Sequence, residues 1–196
     1  MEISLTAEQV KSLLNDGTEL PRLNLTGERK QAAVLVPFIL NQNKWNVLFT
    51  RRSESVNDHK GQVSFPGGAI EPSDGSPITT AMREAYEEIG LRPEQVHVLG
   101  VMPPHESVTG YIIYPVVAQI EWPFVLRINP VEVSRVFTIP LDWLVQRENF
   151  QIRDWLSPFG VRHGVVFYKP YDGEQLWGIS ARILLDLLEK LGLIPN

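Results

Sequence analysis

The chain contains no cysteine. That excludes a disulfide framework and any thiol nucleophile. It has no long hydrophobic run. The longest apolar stretch, residues 32–40, is interrupted by Pro37 and is far too short to span a membrane. Basic charge is not in excess: 18 Lys and Arg face 23 Asp and Glu, for a net charge of -5. A general nucleic-acid binder needs a basic footprint, so nucleic acid is not an expected partner. The start Met1-Glu2-Ile3 lacks the basic segment and apolar stretch of a signal peptide. No membrane association and a cytoplasmic location are therefore expected. Internal repeats, low-complexity segments and charge runs are also missing. What remains is a composition, 43% hydrophobic and 21% charged, ordinary for a globular chain. Its 196 residues suffice for one domain with a sizeable core.

The unusual feature is Arg83-Glu84-Ala85-Tyr86-Glu87-Glu88-Ile89-Gly90-Leu91, close behind Phe65-Pro66-Gly67-Gly68. Ser76 as a cap, Pro77 in the first turn, Gly90 at the end and Pro93 beyond it predict a helix. On that helix Glu84 lies three residues from Glu87 and four from Glu88, spacings that make side chains neighbours. Like charges so placed cost about 0.2–0.5 kcal/mol per pair. Arg83 alone does not balance three acids. Met82, Ala85, Tyr86 and Ile89 are expected on the apolar side. Glu-rich helix faces are commonly just solvated. The functional alternative is a hard divalent cation, which takes oxygen ligands and is usually shared with substrate phosphates.

The remaining pattern alternates strands and helices. A short helix is expected over residues 6–15 with Thr6 as its cap, then an irregular lead-in to about residue 30. Strands are expected over 31–40, 45–51, 96–102, 111–120, 131–139 and 165–168. Short and longer helices are expected over 141–145 and 179–191. The last carries Ile183, Leu184, Leu187, Leu188 and Leu191 on one face, read as core in preference to a partner surface. Arg51-Arg52 falls at a strand end, where a loop presents it to a ligand. His105 and Glu106 lie in a polar loop, read as solvent-exposed in preference to touching substrate. The pattern gives an α/β fold.

The order Gly68, Asp74, Arg83-Glu84, Glu87-Glu88, Gly90-Leu91 resembles the signature of the Nudix hydrolase family. It departs by one extra residue before Arg83 and by Asp74 in place of Glu. Upstream, Leu48, Thr50, Arg52, Ser53, Gly61 and Phe65 to Gly68 are similar to the signature of the coenzyme A diphosphatase branch. Phe49 is a mild change, and Asn57 stands where that signature has a second Arg. Leu176-Trp177-Gly178-Ile179-Ser180 is similar to a C-terminal feature of the same branch, with Trp177 equally a substrate neighbour or core.

The resemblance implies a Nudix-like α/β/α sandwich with a mixed sheet, over a single domain spanning residues 1–196. It implies Mg²⁺ or Mn²⁺ held by Glu84, Glu87, Glu88 and a carbonyl of Gly67. Arg83, with Glu84, Glu87 and Glu88, completes the expected catalytic set. Arg83 orients the glutamates through ion pairs, with Asp74 a candidate partner. Arg51, Arg52, Gly67 and Gly68 are the expected substrate contacts. The general base is left open: it lies either in the signature, with Glu84 and Glu87 as candidates, or in a distant loop. The implied activity is hydrolysis of coenzyme A or a derivative to 4'-phosphopantetheine (or its acyl form) and adenosine 3',5'-bisphosphate. Another nucleoside diphosphate derivative such as ADP-ribose is the alternative, and a non-catalytic nucleotide-binding domain a third reading. The implied partner is a small nucleotide, and a homodimer is compatible with the sequence.

Overall fold

The computed structural model describes residues 3, 5–14, 29–55, 59–157 and 160–195. Asn57 and most of the irregular lead-in to residue 30 lie outside the described residues. Helix α1 (Ala7–Leu14) opens with Thr6, whose hydroxyl accepts from the Gln9 N–H while Gln9 returns a bond to the Thr6 N–H. This reciprocal pair satisfies two otherwise orphaned donors.

The sheet grows around β1 (Gln31–Asn41), nearly all of which is buried. A run of apolar residues without polar alternation suits a strand covered on both faces. Gln42 and Asn43 turn the chain with positive φ at both positions, the geometry of a tight two-residue hairpin. Strand β2 (Lys44–Arg52) then returns antiparallel to β1. The short strands β3 (Val63–Ser64) and β4 (Gly67–Ala69) pair with β2 and β1 respectively.

After helix α2 (Pro77–Ile89) come β5 (Val96–Val101), β6 (His105–Glu106) and β7 (Ile112–Ile120). Strand β7 runs parallel to β1, while β5 and β6 run antiparallel to β7. Strand β8 (Val133–Pro140) closes the other side against β2. The eight-stranded sheet is therefore mixed. Helix α3 (Leu141–Leu144) leads to a separate hairpin of β9 (Phe150–Ser157) and β10 (Gly160–Tyr168), and helix α4 (Gly178–Lys190) follows.

Alternate residues of β1 serve two apolar clusters. Ala33, Leu35 and Ile39 pack with Ala81, Ala85 and Ile89 of α2. Ala32, Val36 and Phe38 pack on the opposite face with the leucines of α4. Helices thus cover both faces, the α/β/α arrangement expected. The α4 stripe is core: Ile183, Leu184, Leu187 and Leu188 are at most 1% exposed.

Several details differ from the sequence expectations. Tyr86 is 54% exposed, so it does not share the apolar side of α2. Strand β9 was not anticipated, because its charged and exposed residues give no apolar run. His105 is not a solvent-exposed loop residue. It lies in β6 with a side chain only 13% exposed, and its Nε2 pairs with Asp186 of α4 at 2.9 Å. Glu106 is exposed and pairs with Arg29. Trp177 stacks on Phe167 with rings 5.5 Å apart and 8° from parallel.

Candidate active site

Helix α2 is fixed at both ends by its own sequence. The Ser76 hydroxyl accepts from the Thr79 N–H, Pro77 sits in the first turn, and Gly90 adopts φ 74. Only glycine takes that conformation without cost. These caps set the rotation of the helix and so the direction of its acids.

Arg83 holds the segment before the helix to the helix itself. Its Nε and Nη2 donate to the two carboxylate oxygens of Asp74 at 2.9 and 3.0 Å. Nη1 donates to Glu84 at 2.9 Å and Glu87 at 3.2 Å, and Nη2 also reaches the Ala69 carbonyl at 3.1 Å. Asp74 further accepts from the Thr80 hydroxyl and the Glu71 N–H. The Arg83 guanidinium beside Asp74 holds its carboxyl well below the usual carboxylate range. Asp74 in turn pushes Arg83 upward. The shorter acid at position 74 is therefore fully used as a planar partner for Arg83.

Glu84 and Glu88 point together to one side of α2. With Glu132 they form a group whose ligand oxygens lie within 4.8 Å of one another. Glu132 escaped sequence reasoning. It stands 44 residues beyond Glu88 in an irregular segment without local signal. The backbone brings it in: the Asn129 N–H donates to the Glu88 carbonyl, and the Ser53 N–H donates to the Glu132 carbonyl, at 2.9 and 2.8 Å. Ser53 of the upstream signature thus anchors the third carboxylate. Glu87 is placed differently. It is half exposed, engages Arg83, and is not part of this three-carboxylate group.

Burial makes the cluster costly. Glu88 is 2% exposed, and its carboxyl is pushed up to about 8 by burial, only partly offset by Arg52. Glu84 is also raised by burial, against the lowering effect of Arg83. The Gly67 N–H supports one side of Glu88, yet its Oε2 is buried without a hydrogen-bond partner. An orphaned carboxylate oxygen beside two further carboxylates is the donor set of a hard divalent cation. The residues fit such an ion.

The two glycines of β4 let the strand pack tightly against β1 and the Glu84 carboxylate. A Cβ on Gly68 would stand 2.5 Å from the Glu84 carboxylate, and one on Gly67 would stand 2.3 Å from the Ala33 carbonyl oxygen. Arg52 lies 4.0 Å from Glu88, and Arg51 lies near Glu54 and Glu174. Of the expected site residues, Arg52, Gly67, Gly68, Arg83, Glu84 and Glu88 converge, and Arg51 stands apart. A surface groove of about 580 Å³ at the far end of α2, lined by Tyr86, Arg92, Phe124 and Arg127, includes none of the three clustered carboxylates.

The NUDIX domain model matches residues 29–159, more than half of the chain. The chain belongs to the Nudix family. A Nudix hydrolase from Escherichia coli, called uncharacterised NudL, is 39% identical over 176 residues, covering 89% of this chain and 90% of that protein. Its namesake from Pectobacterium atrosepticum is 40% identical over 167 residues, covering 85% of each. Among solved structures, a MutT/nudix family protein from Enterococcus faecalis aligns with 97% of this chain and 76% of its own, with TM-score 0.57 and 14% identity. At that identity the likeness supports the fold alone. As a Nudix hydrolase, the chain carries the family acids on α2 and a third cluster member, Glu132, outside it.

Proposed function

We propose that this Nudix hydrolase cuts the diphosphate bond of coenzyme A or a derivative, using Mg²⁺ or Mn²⁺ held by Glu84, Glu88 and Glu132. The observation that carries the chemistry is the three-carboxylate group with an unpartnered buried oxygen on Glu88. The coenzyme A reading is supported by Leu48, Thr50, Arg52, Ser53, Gly61 and Phe65 to Gly68 in signature order. A divalent ion there would neutralise phosphate oxygens and lower the pKa of a bound water.

The chain's own residues do the rest. Arg52, at the end of β2 beside the cluster, binds the anionic diphosphate. The Gly67-Gly68 pair of β4 lets the Glu84 carboxylate pack directly against the strand and offers the Gly67 carbonyl as a further oxygen ligand. Arg83 keeps the Glu84 carboxylate in place and steadies Glu87, which faces solvent as a candidate general base. Water adds across the P–O–P bridge: one phosphate keeps the bridging oxygen, the other gains the water oxygen, and a proton leaves. The products are 4'-phosphopantetheine, or its acyl form, and adenosine 3',5'-bisphosphate.

A second reading rests on Asn57, which replaces the signature's second Arg and loosens the case for coenzyme A. It assigns the same chemistry to another nucleoside diphosphate derivative such as ADP-ribose. Ratios of kcat/KM decide between substrates. Coenzyme A, acyl-coenzyme A, ADP-ribose and a dinucleotide are compared with each metal. The coenzyme A reading expects coenzyme A and acyl-coenzyme A to lead, and a lead by ADP-ribose rejects it.

A further inference from the structure

Arg51 and Arg135 stand directly opposite each other in the antiparallel pairing of β2 and β8. Like charges facing across a ladder destabilise it, so the pair needs a counter-charge. Glu174, from the segment between β10 and α4, supplies it. Its side chain is 7% exposed, accepts from Arg135 Nη1 at 3.0 Å, and lies 3.7 Å from Arg51 Nη1. Arg135 is further engaged by the carbonyl and the carboxylate of Asp172.

Arg51 is left with unused donors. Among the described residues its guanidinium donates no hydrogen bond. Glu174 and Glu54 lie 3.7 and 3.5 Å away, and Nε is buried without an acceptor. Glu54 is 71% exposed, so its hold on Arg51 is weak and screened by water. Yet the Arg51 side chain is 41% exposed and held from below by Glu174. A planar guanidinium with donors to spare matches the oxygens of a phosphate.

The direction of Arg51 separates it from the reacting centre. Successive side chains on a strand point to opposite faces. Arg52 lies near Glu88 of α2 on one face. Arg51 meets Glu174, just before α4, on the other. A ligand whose diphosphate lies at the carboxylate cluster meets Arg51 only with a different group, at the end of β2.

We propose that Arg51 anchors a phosphate monoester at the nucleotide end of the substrate, apart from the diphosphate that is cut. Glu174 and Arg135 are positioning residues that aim it. The proposal rests on the coenzyme A reading, because coenzyme A carries such a third phosphate and ADP-ribose does not. It makes the terminal phosphate a basis of substrate choice.

Calorimetry on the full chain tests it without turnover, with adenosine 3',5'-bisphosphate and adenosine 5'-monophosphate as probes. A charge-assisted contact of this kind should favour the bisphosphate by about tenfold or more. Arg51→Gln should bring the two affinities together. Glu174→Gln should reduce their ratio while the urea midpoint reports a folded chain, and Arg135→Lys should retain part of the ratio. Equal affinity of the wild type for both probes, or a full ratio in Arg51→Gln, overturns the proposal. Coenzyme A turnover is read separately on the same samples. Discrimination between probes without cleavage rejects the coenzyme A reading and keeps the anchor, and cleavage without discrimination does the reverse.

Discussion

Glu88 is a carboxyl that burial drives toward its neutral form when no cation faces it. Its value rises from 4.5 to about 8 on folding. A raised acid binds more protons folded than unfolded, so its contribution to stability is complete below about 4.5 and lost as pH climbs through 8. With chelator present, urea midpoints should therefore fall between pH 6 and pH 9, and Glu88→Gln should flatten that fall. The same variant should lose the stabilisation that Mg²⁺ or Mn²⁺ gives the wild type, and about a hundredfold or more in activity. A metal-induced shift undiminished in Glu88→Gln would remove Glu88 from the ligand set. Asp74 has the opposite sign. Its value is depressed, so its stabilisation holds above the ordinary carboxylate range and is lost as pH falls below it. Asp74→Ala leaves Arg83 without its buried partner and should cost about 3 kcal/mol or more by urea denaturation at pH 7. Glu84 and Glu88 were legible in the sequence because helical spacing alone puts them side by side. Glu132 and Glu174 were not, since each depends on backbone bonds or strand register far along the chain.

Strand β4 shows how one short element serves both fold and site. Its two glycines face different neighbours, so the same substitution should have different effects. At Gly67 a methyl group would meet backbone atoms of Ala33 and Val34, which cannot move without breaking β1. Gly67→Ala should lower the thermal midpoint and reduce soluble yield. At Gly68 the methyl would meet only the end of the Glu84 side chain. Gly68→Ala should fold with a nearly unchanged midpoint but lose activity, because the Glu84 carboxylate is displaced. Circular dichroism melts beside turnover rates check both, and equal effects at the two positions would contradict this account. Helix α2 could be read almost to the residue, because Ser76, Pro77 and Gly90 are local signals. Of the β9–β10 hairpin only the buried end of β10, expected as a strand over residues 165–168, could be read; β9 and the start of β10 are largely exposed and give no apolar pattern.

Across the whole molecule the sheet divides the work. One face carries α2, the carboxylate group and Arg52, and the other carries α4, Glu174 and Arg51. The apolar run of β1 was a sound guide to a strand buried on both faces, while the order of strands around it was not legible, because parallel β1–β7 pairing joins segments about 80 residues apart. No described helix is long and apolar enough to cross a membrane. A cation that binds only the folded chain at a hundred times its Kd should add about 2.7 kcal/mol of stability. The most direct test of the central claim is product analysis. Coenzyme A is incubated with the purified chain and Mg²⁺ or Mn²⁺, and the products are separated by charge. The account predicts 4'-phosphopantetheine and adenosine 3',5'-bisphosphate in equal amounts, none with chelator, and almost none from Glu88→Gln. Coenzyme A left intact with both metals, by a chain that still cleaves another nucleoside diphosphate derivative, would contradict it.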